Sequence, residues 1–244
     1  YTRSVCFLLI KAFHDLYPDK EILISHSISR GLFCEIEGNI PMSSDDVDRI
    51  ARRMRELVEK KIPFVKRIIS LDEAEEIFKK MGRMDRFHVI EHRRKPYITV
   101  YNCDGFEDYF YGYMVPDTGF LDLFDLKHYR HGLVLQLPNK TDPTTLYEFE
   151  PNDRIFNILI ENKRWASILG VENVGSLNDM VVNNQIYDLI RVNEALHEKK
   201  IANIADMITN ELPKKRIVLV SGPSSSGKTT FSQRLSIQLR ANGL

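Results

Sequence analysis

The stretch EILISHSISRGLFCEI, residues 21–36, determines the predicted fold of the first half of the chain. Apolar and β-branched residues dominate both of its ends, and Ser29-Arg30-Gly31 lies between them. Short runs of this kind, separated by turn residues, are typical of a β-hairpin. We therefore predict two strands, over residues 21–26 and 31–36, that pair with each other.

Helices and further strands are predicted on both sides of this hairpin. Residues 3–16 have helical spacing, and Ser43 or Ser44 can cap a helix that carries an apolar stripe through residue 58. A strand over 64–69 leads into a helix that Ser70 can cap and Gly82 can end. Alternating, aromatic-rich sequence then predicts strands at 86–91, 97–102, 106–113, 120–126 and 132–137. The first 140 residues therefore predict an α+β domain.

The composition is that of a globular cytoplasmic protein. Hydrophobic residues make up 43% of the chain and charged residues 28%. The three cysteines form no C-x-x-C pair, which favours a reducing compartment. No apolar stretch is long enough to cross a bilayer, so we expect no membrane contact. With 34 basic and 34 acidic residues the net charge is zero, so a tRNA partner would need a local basic patch and is the less favoured partner.

The sequence changes character after the polar loop at 139–143. Helical patterns cover 153–164, a short segment that Ser176 can cap, and one or two helices over 186–208. We therefore predict three regions: an α+β domain at 1–140, a helical linker at 141–212, and the start of an α/β domain at 213–244.

His88 and His92 have the spacing of metal ligands on a helix, but the strand predicted there would separate them.

The motif Gly222-Pro-Ser-Ser-Ser-Gly-Lys-Thr229 matches the P-loop pattern G-x-x-x-x-G-K-[ST]. A buried strand is predicted before it, at 217–220, and a helix after it. Such a loop wraps backbone N–H groups around a phosphate at the start of a helix. Lys228 would reach the β- and γ-phosphates as the catalytic residue, and the Thr229 hydroxyl would hold Mg²⁺. The predicted cofactors are ATP and Mg²⁺, and the predicted cofactor-binding residues are Gly222, Ser224, Ser225, Ser226, Gly227, Lys228, Thr229 and Thr230.

The segment from Val220 to Ser236, VSGPSSSGKTTFSQRLS, resembles the first loop of the uridine kinase and phosphoribulokinase family. The resemblance implies transfer of the ATP γ-phosphoryl group to a hydroxyl of a nucleoside or a related sugar. In that family the catalytic base and the acceptor pocket follow the P-loop helix. We therefore expect the 244-residue chain to be inactive by itself, as the N-terminal part of a longer kinase.

Residues 1–138 resemble the second additional domain of threonyl-tRNA synthetase, an editing-type domain. The resemblance lies in the segments Leu8–Pro18, Ile28–Ile36, Asp45–Met54 and Glu107–Pro116. In that family, a His-x-x-x-His and a Cys-x-x-x-His motif carry the hydrolytic chemistry. These positions fall here on Arg3, Phe7, Phe110 and Met114, none of which can act as a general base. The resemblance therefore implies the fold and a cleft lined with aromatic residues, but not hydrolysis.

The complete sequence-based prediction is an α+β domain like the second additional domain, a helical linker, and the first β-loop-α unit of a P-loop kinase domain. The main interpretation is an ATP-dependent kinase for uridine or a related sugar, with a regulatory or ligand-binding N-terminal domain. The alternative is a module that binds tRNA or an amino-acid ligand and is regulated by nucleotide at the P-loop. The phosphoryl acceptor, the ligand of the N-terminal domain and the formation of homo-oligomers stay open.

Overall fold

The computed structural model describes residues 1–82 and 84–244, which divide into two compact units, Tyr1–Ser176 and Leu177–Leu244. The helices are α1 (Thr2–Leu16), α2 (Ser44–Glu59), α3 (Leu71–Lys80), α4 (Met84–Glu91), α5 (Asp153–Ile168), α6 (Val174–Val182), α7 (Ile186–Asn210) and α8 (Lys228–Ala241). The strands are β1 (Ile22–Ile28), β2 (Gly31–Ile36), β3 (Val65–Ser70), β4 (Tyr97–Cys103), β5 (Phe106–Tyr109), β6 (Asp125–Tyr129) and β7 (Gly132–Gln136). None of the helices in the described chain is long and apolar enough to cross a membrane.

The first unit is built around an antiparallel sheet with the strand order β1-β2-β7-β6. Side chains of β2 alternate between its two faces, as the pleat of a strand requires. Leu32, Cys34 and Ile36 belong to the main core, which α1 and α2 complete. Phe33 lies on the opposite face, in a smaller cluster with Phe156 of α5. The sheet is therefore covered by helices on both faces, with α1 and α2 on one and α5 on the other.

A second antiparallel sheet has the order β3-β4-β5 and is covered by α3 and α4. Its core consists of the buried residues Ile69, Ala74, Phe78, Ile90, Ile98 and Val100. The predicted hairpin at 21–36, the helices at 44–58 and 70–81 and the strands at 64–69 and 97–102 agree with the structure to within two residues at their ends. The first unit is therefore a mixed α and β fold with two small sheets.

One predicted strand in the aromatic-rich segment is wrong, and two others are only partly right. Residues 86–91 belong to helix α4, where Ile90 is buried beside Phe78 of α3. Residues 120–124 are not a strand, because Thr118 fixes the chain in a short 3-10 turn. Its hydroxyl donates to the Leu57 carbonyl oxygen at 2.5 Å and accepts from the Ile62 backbone nitrogen at 2.9 Å. The strand β6 begins only at Asp125, and the strand predicted at 106–113 already ends at Tyr109.

The cap of α6 also differs from the prediction. The helix is capped by Asn173 and not by Ser176. The Asn173 side-chain oxygen accepts a hydrogen bond at 2.9 Å from the backbone nitrogen of Ser176, which lies in the first turn. An asparagine at this position satisfies a helix N-terminus as well as a serine does.

The second unit contains the long helix α7 and the helix α8. Their contact buries Ile201, Ala205 and Leu235, and Ile208, Phe231 and Leu239 pack partly buried around them. The strand predicted at 217–220 is not formed: Ile217 is 81% exposed and Leu219 is 88% exposed. A strand of a parallel sheet needs a neighbouring strand to pair its backbone N–H and C=O groups, and the described part of this unit provides none.

Candidate functional site

The four positions at which the resemblance would place editing chemistry lie on α1, for Arg3 and Phe7, and on the segment after β5, for Phe110 and Met114. Phe7 has no exposed surface, and its ring contacts three others edge-on: Phe64 at 5.6 Å, Phe106 at 5.5 Å and Phe110 at 5.4 Å between centroids. Met114 packs partly buried against the same core. Aromatic residues gather here as the sequence predicts, but they pack against one another in the core, and Phe7 fills the space beside Phe110 instead of lining a cleft.

Arg3 lies one turn before Phe7, close to the segment that follows β5. A Cβ atom added at Gly112 would lie 3.0 Å from the Arg3 Cζ atom, and the φ angle of Gly112 is +89°. The neighbouring Ser4 hydroxyl accepts a hydrogen bond from the Val115 backbone nitrogen at 3.0 Å, and the Tyr101 hydroxyl donates to the Gly112 carbonyl oxygen at 2.5 Å. These contacts hold the segment against α1 and bring Arg3 and Phe7 close to it.

Cysteine chemistry does not replace the missing groups. Cys6 and Cys103 are buried, and burial raises the pKa of each thiol to about 11. Burial also raises the pKa of Cys34, which is fully enclosed. A thiol with such a pKa is not ionised at neutral pH and is a poor nucleophile. The residues around Phe7 therefore form packed core, and the cysteines of the chain offer no thiolate that could attack a ligand.

Exposed aromatic side chains with nearby cations border this region. Tyr111 is 70% exposed and Tyr113 is 85% exposed. The Arg3 guanidinium carbon lies 5.7 Å from the centre of the Tyr111 ring, and the Lys66 ammonium lies 5.4 Å from that of Tyr113. Rings and cations in this arrangement can stack on a base and pair with a phosphate.

The predicted P-loop residues form a compact turn at the start of α8. Gly227 caps the helix with a left-handed φ of +79°, and Ser225 has a φ of +60°. The Lys228 ammonium donates to the Pro223 carbonyl oxygen at 2.5 Å, so its side chain folds back over the loop. A Cβ atom at Gly222 would lie 2.8 Å from the Ser226 hydroxyl, which would have to turn away to make room for it.

The remaining predicted residues of the P-loop, Ser224, Thr229 and Thr230, are exposed beside this turn. A loop with left-handed residues followed by a helix N-terminus is suited to hold an anion. ATP at these residues, and Mg²⁺ at the Thr229 hydroxyl, stay predictions.

Sequence reasoning missed a polar cluster on the face of the large sheet that α5 covers. The Glu35 side chain has no exposed surface, yet it accepts hydrogen bonds from the Ser25 hydroxyl and from His131 Nε2 at 2.9 Å. It also pairs with the Lys163 ammonium at 3.0 Å. Burial acts to raise the pKa of this carboxyl, but the three partners together lower it. The available signal was one acidic residue within the otherwise apolar strand GLFCEI.

No family model matches the chain. The chain is 36% identical over 125 residues to a threonine–tRNA ligase of Burkholderia lata, and 35% identical over the same length to that of Burkholderia orbicola. A ligase of Paraburkholderia xenovorans is 36% identical. Each match covers 51% of this chain and 20% of the relative, so the chain spans about a fifth of the length of these ligases. The resemblance to threonyl-tRNA synthetases is confirmed over half of the chain, and the resemblance to uridine kinases stays a prediction.

Proposed function

We propose that residues 1–138 form a non-hydrolytic module that binds the single-stranded end of a tRNA, and that nucleotide at residues 222–229 regulates it. The relatives are named as threonine–tRNA ligases, so tRNA and threonine are the ligands that their names suggest. This is the alternative interpretation of the sequence, and the similarity favours it over the kinase.

The observation that carries the proposal is the pair of exposed tyrosines, each with a cation beside its ring, around the filled position of Phe7. Stacking on an aromatic side chain contributes about 1–3 kcal/mol per base, and it needs no particular base. Arg3 and Lys66 supply the local positive charge that the neutral chain lacks as a whole. These residues include neither a histidine nor a cysteine, the residue types that carry the hydrolytic chemistry of the editing motifs, so binding would not lead to cleavage.

The test is fluorescence anisotropy with a labelled single-stranded oligonucleotide that ends in CCA, measured with the full chain. Tyr113→Ala and Tyr111→Ala should each weaken binding by about tenfold, which corresponds to about 1.4 kcal/mol. Tyr187→Ala is the matched control, because Tyr187 is 68% exposed and lies in the other unit. Absence of binding by the unaltered chain, or an equal loss in the control, would refute the proposal. Threonine esterified to the oligonucleotide should stay attached during the experiment.

The kinase is a second candidate function, which the geometry of residues 222–229 favours. The folded-back Lys228 and the left-handed Gly227 provide the cation and the backbone turn that a triphosphate needs. Binding of ATP with Mg²⁺, measured by calorimetry, should be lost in Lys228→Ala and kept in Lys215→Ala, whose ammonium pairs with Glu211 at 3.3 Å. This measurement tests the nucleotide site alone, because the 244-residue chain is not expected to transfer the γ-phosphoryl group by itself.

A further inference from the structure

The buried carboxylate of Glu35 lies at the wall of a cavity of about 490 Å³ between the large sheet and α5. Enclosing a charge costs several kcal/mol unless it is paired and hydrogen-bonded. Ser25 and His131 fix the carboxylate from the sheet side, and Lys163 of α5 supplies the opposite charge. The sheet therefore presents a preformed anionic group to a cationic partner.

Lys163 is a cationic partner that can leave. Its side chain is 39% exposed, in contrast to Glu35, and its ammonium also reaches the Asn39 side-chain oxygen at 3.2 Å. A lysine is a flexible chain with a point charge at its end, so it can swing into solvent without disturbing the helix backbone. Another primary ammonium group could take the same place beside Glu35.

The rest of the cavity indicates which ammonium compound would fit. Among the residues that the structure describes, Glu35, Glu37 and Glu172 line the cavity with carboxylates, and Arg86, which pairs with Asp108 at 3.3 Å, lines it with a guanidinium. Once the Lys163 ammonium has left, the carboxylates among these described residues outnumber the guanidinium by two. Leu23, Leu159 and Ile160 provide apolar walls for a methylene chain.

A second observation concerns a polar atom in the wall of the same cavity. The Nε2 atom of His26, which lines the cavity, is buried and has no hydrogen-bond partner within the described residues. Buried polar atoms in folded proteins are nearly always paired, so this nitrogen is available to a water molecule or to a polar group of a ligand in the cavity. The His26 ring stacks on Phe33 at 5.1 Å, which fixes its position.

From these observations we propose that the cavity binds a linear diamine, one ammonium of which replaces Lys163 on Glu35. The second ammonium is placed among the remaining carboxylates, and the methylene chain lies along the leucine and isoleucine side chains. This site is on the opposite face of the sheet from Phe7 and does not depend on the proposed binding of tRNA.

Calorimetric titration of the full chain with 1,4-diaminobutane, and with 1-aminobutane for comparison, tests the proposal. The diamine should bind more tightly than the monoamine, because two charges are neutralised instead of one. Lys163→Met should tighten diamine binding by about tenfold, since the ligand no longer competes with an intramolecular ammonium. If Lys163 had only a structural role, the same variant would lose stability and gain no affinity.

Two further variants test the same site, so that the proposal can still be judged if one of the variants does not fold. Glu35→Gln should abolish binding, and Ala166→Leu should weaken it at least tenfold by filling the cavity from α5 without altering any charge. Lys127→Met is the control, because it removes an exposed lysine paired with Asp125 at 2.7 Å. Circular dichroism establishes that each variant is folded. Equal affinity for the two amines, or unchanged diamine binding in Lys163→Met or in Ala166→Leu, would overturn the proposal.

Discussion

At the scale of single residues, Asp46 shows how local and distant partners combine on one carboxylate. It accepts hydrogen bonds from the Tyr17 hydroxyl at 2.5 Å, the Ser43 hydroxyl at 2.7 Å and the Ser43 backbone nitrogen at 3.0 Å. These hydrogen bonds lower the pKa of Asp46 to about 2, and the bond from Tyr17 makes the largest contribution. The Ser43 hydroxyl in return accepts from the Asp46 backbone nitrogen at 3.1 Å, which completes a capping box for α2.

Asp46→Asn should lower the free energy of unfolding by about 1 kcal/mol at pH 7, because the capping bonds lose their charge. The pKa of Asp46 is lower in the folded state than the value of about 3.9 in an unfolded chain. Its contribution is therefore complete above about pH 4 and is lost as the pH falls towards 2. Urea unfolding at a series of pH values should show this loss in the unaltered chain and less of it in the variant.

Asp45→Asn is the control for this experiment, because Asp45 lies in the same helical turn but outside the capping box. Removing its charge affects only the interaction with the helix dipole, which contributes a few tenths of a kcal/mol at an exposed position. Equal effects of the two variants would contradict the role given to the capping box.

The sequence predicted part of this residue-scale structure. Ser43 as a cap and the acidic first turn of α2 follow from local rules. The bond from Tyr17 could not be predicted, since it joins residues 29 positions apart and depends on how α1 packs on α2. The same holds for Glu35, whose partner His131 is 96 residues away. An acidic residue in an apolar strand shows that a partner is needed, but not which one.

At the scale of elements, α1 is held to the rest of its unit by Phe7 and the three rings around it. Phe7→Ala should cost about 3–5 kcal/mol, because a fully buried ring is removed and the surrounding rings can close the space only in part. Phe120→Ala, at a ring that is 56% exposed, should cost less than about 0.5 kcal/mol. Denaturant unfolding measures both, and a cost of Phe7→Ala below 1 kcal/mol would show that the rings do not stabilise α1.

Elements with a strong local pattern were predictable, and those decided by packing were not. The hairpin β1–β2 and the helix α2 carry turn residues, caps and an apolar stripe that agree with one another. Residues 86–91 have an ambiguous pattern, and the contact of Ile90 with Phe78 favours the helix α4. Residues 217–220 have the apolar run of a buried strand, but a strand forms only where another is available to pair with it.

At the scale of the whole molecule, the two units differ in the size of their cores. Among the residues that the structure describes, 25 are buried in the main core of the first unit, whereas the contact of α7 with α8 buries three. Stability therefore should not be uniform along the chain, and the helices of the second unit should open at a lower free energy.

Leu235→Ala should therefore remove amide protection from α7 and α8 and leave that of β2 and β7 unchanged. Leu235 is 5% exposed, and truncating a buried leucine costs about 2–5 kcal/mol, which is a large part of what so small a core can supply. Hydrogen exchange followed by mass spectrometry resolves the two units in one experiment. Ile237→Ala serves as the control on the same helix, because Ile237 is 63% exposed and its truncation leaves the core intact. If protection fell equally in β2, the two cores would unfold as one, and the division of the chain into units of unequal stability would be wrong.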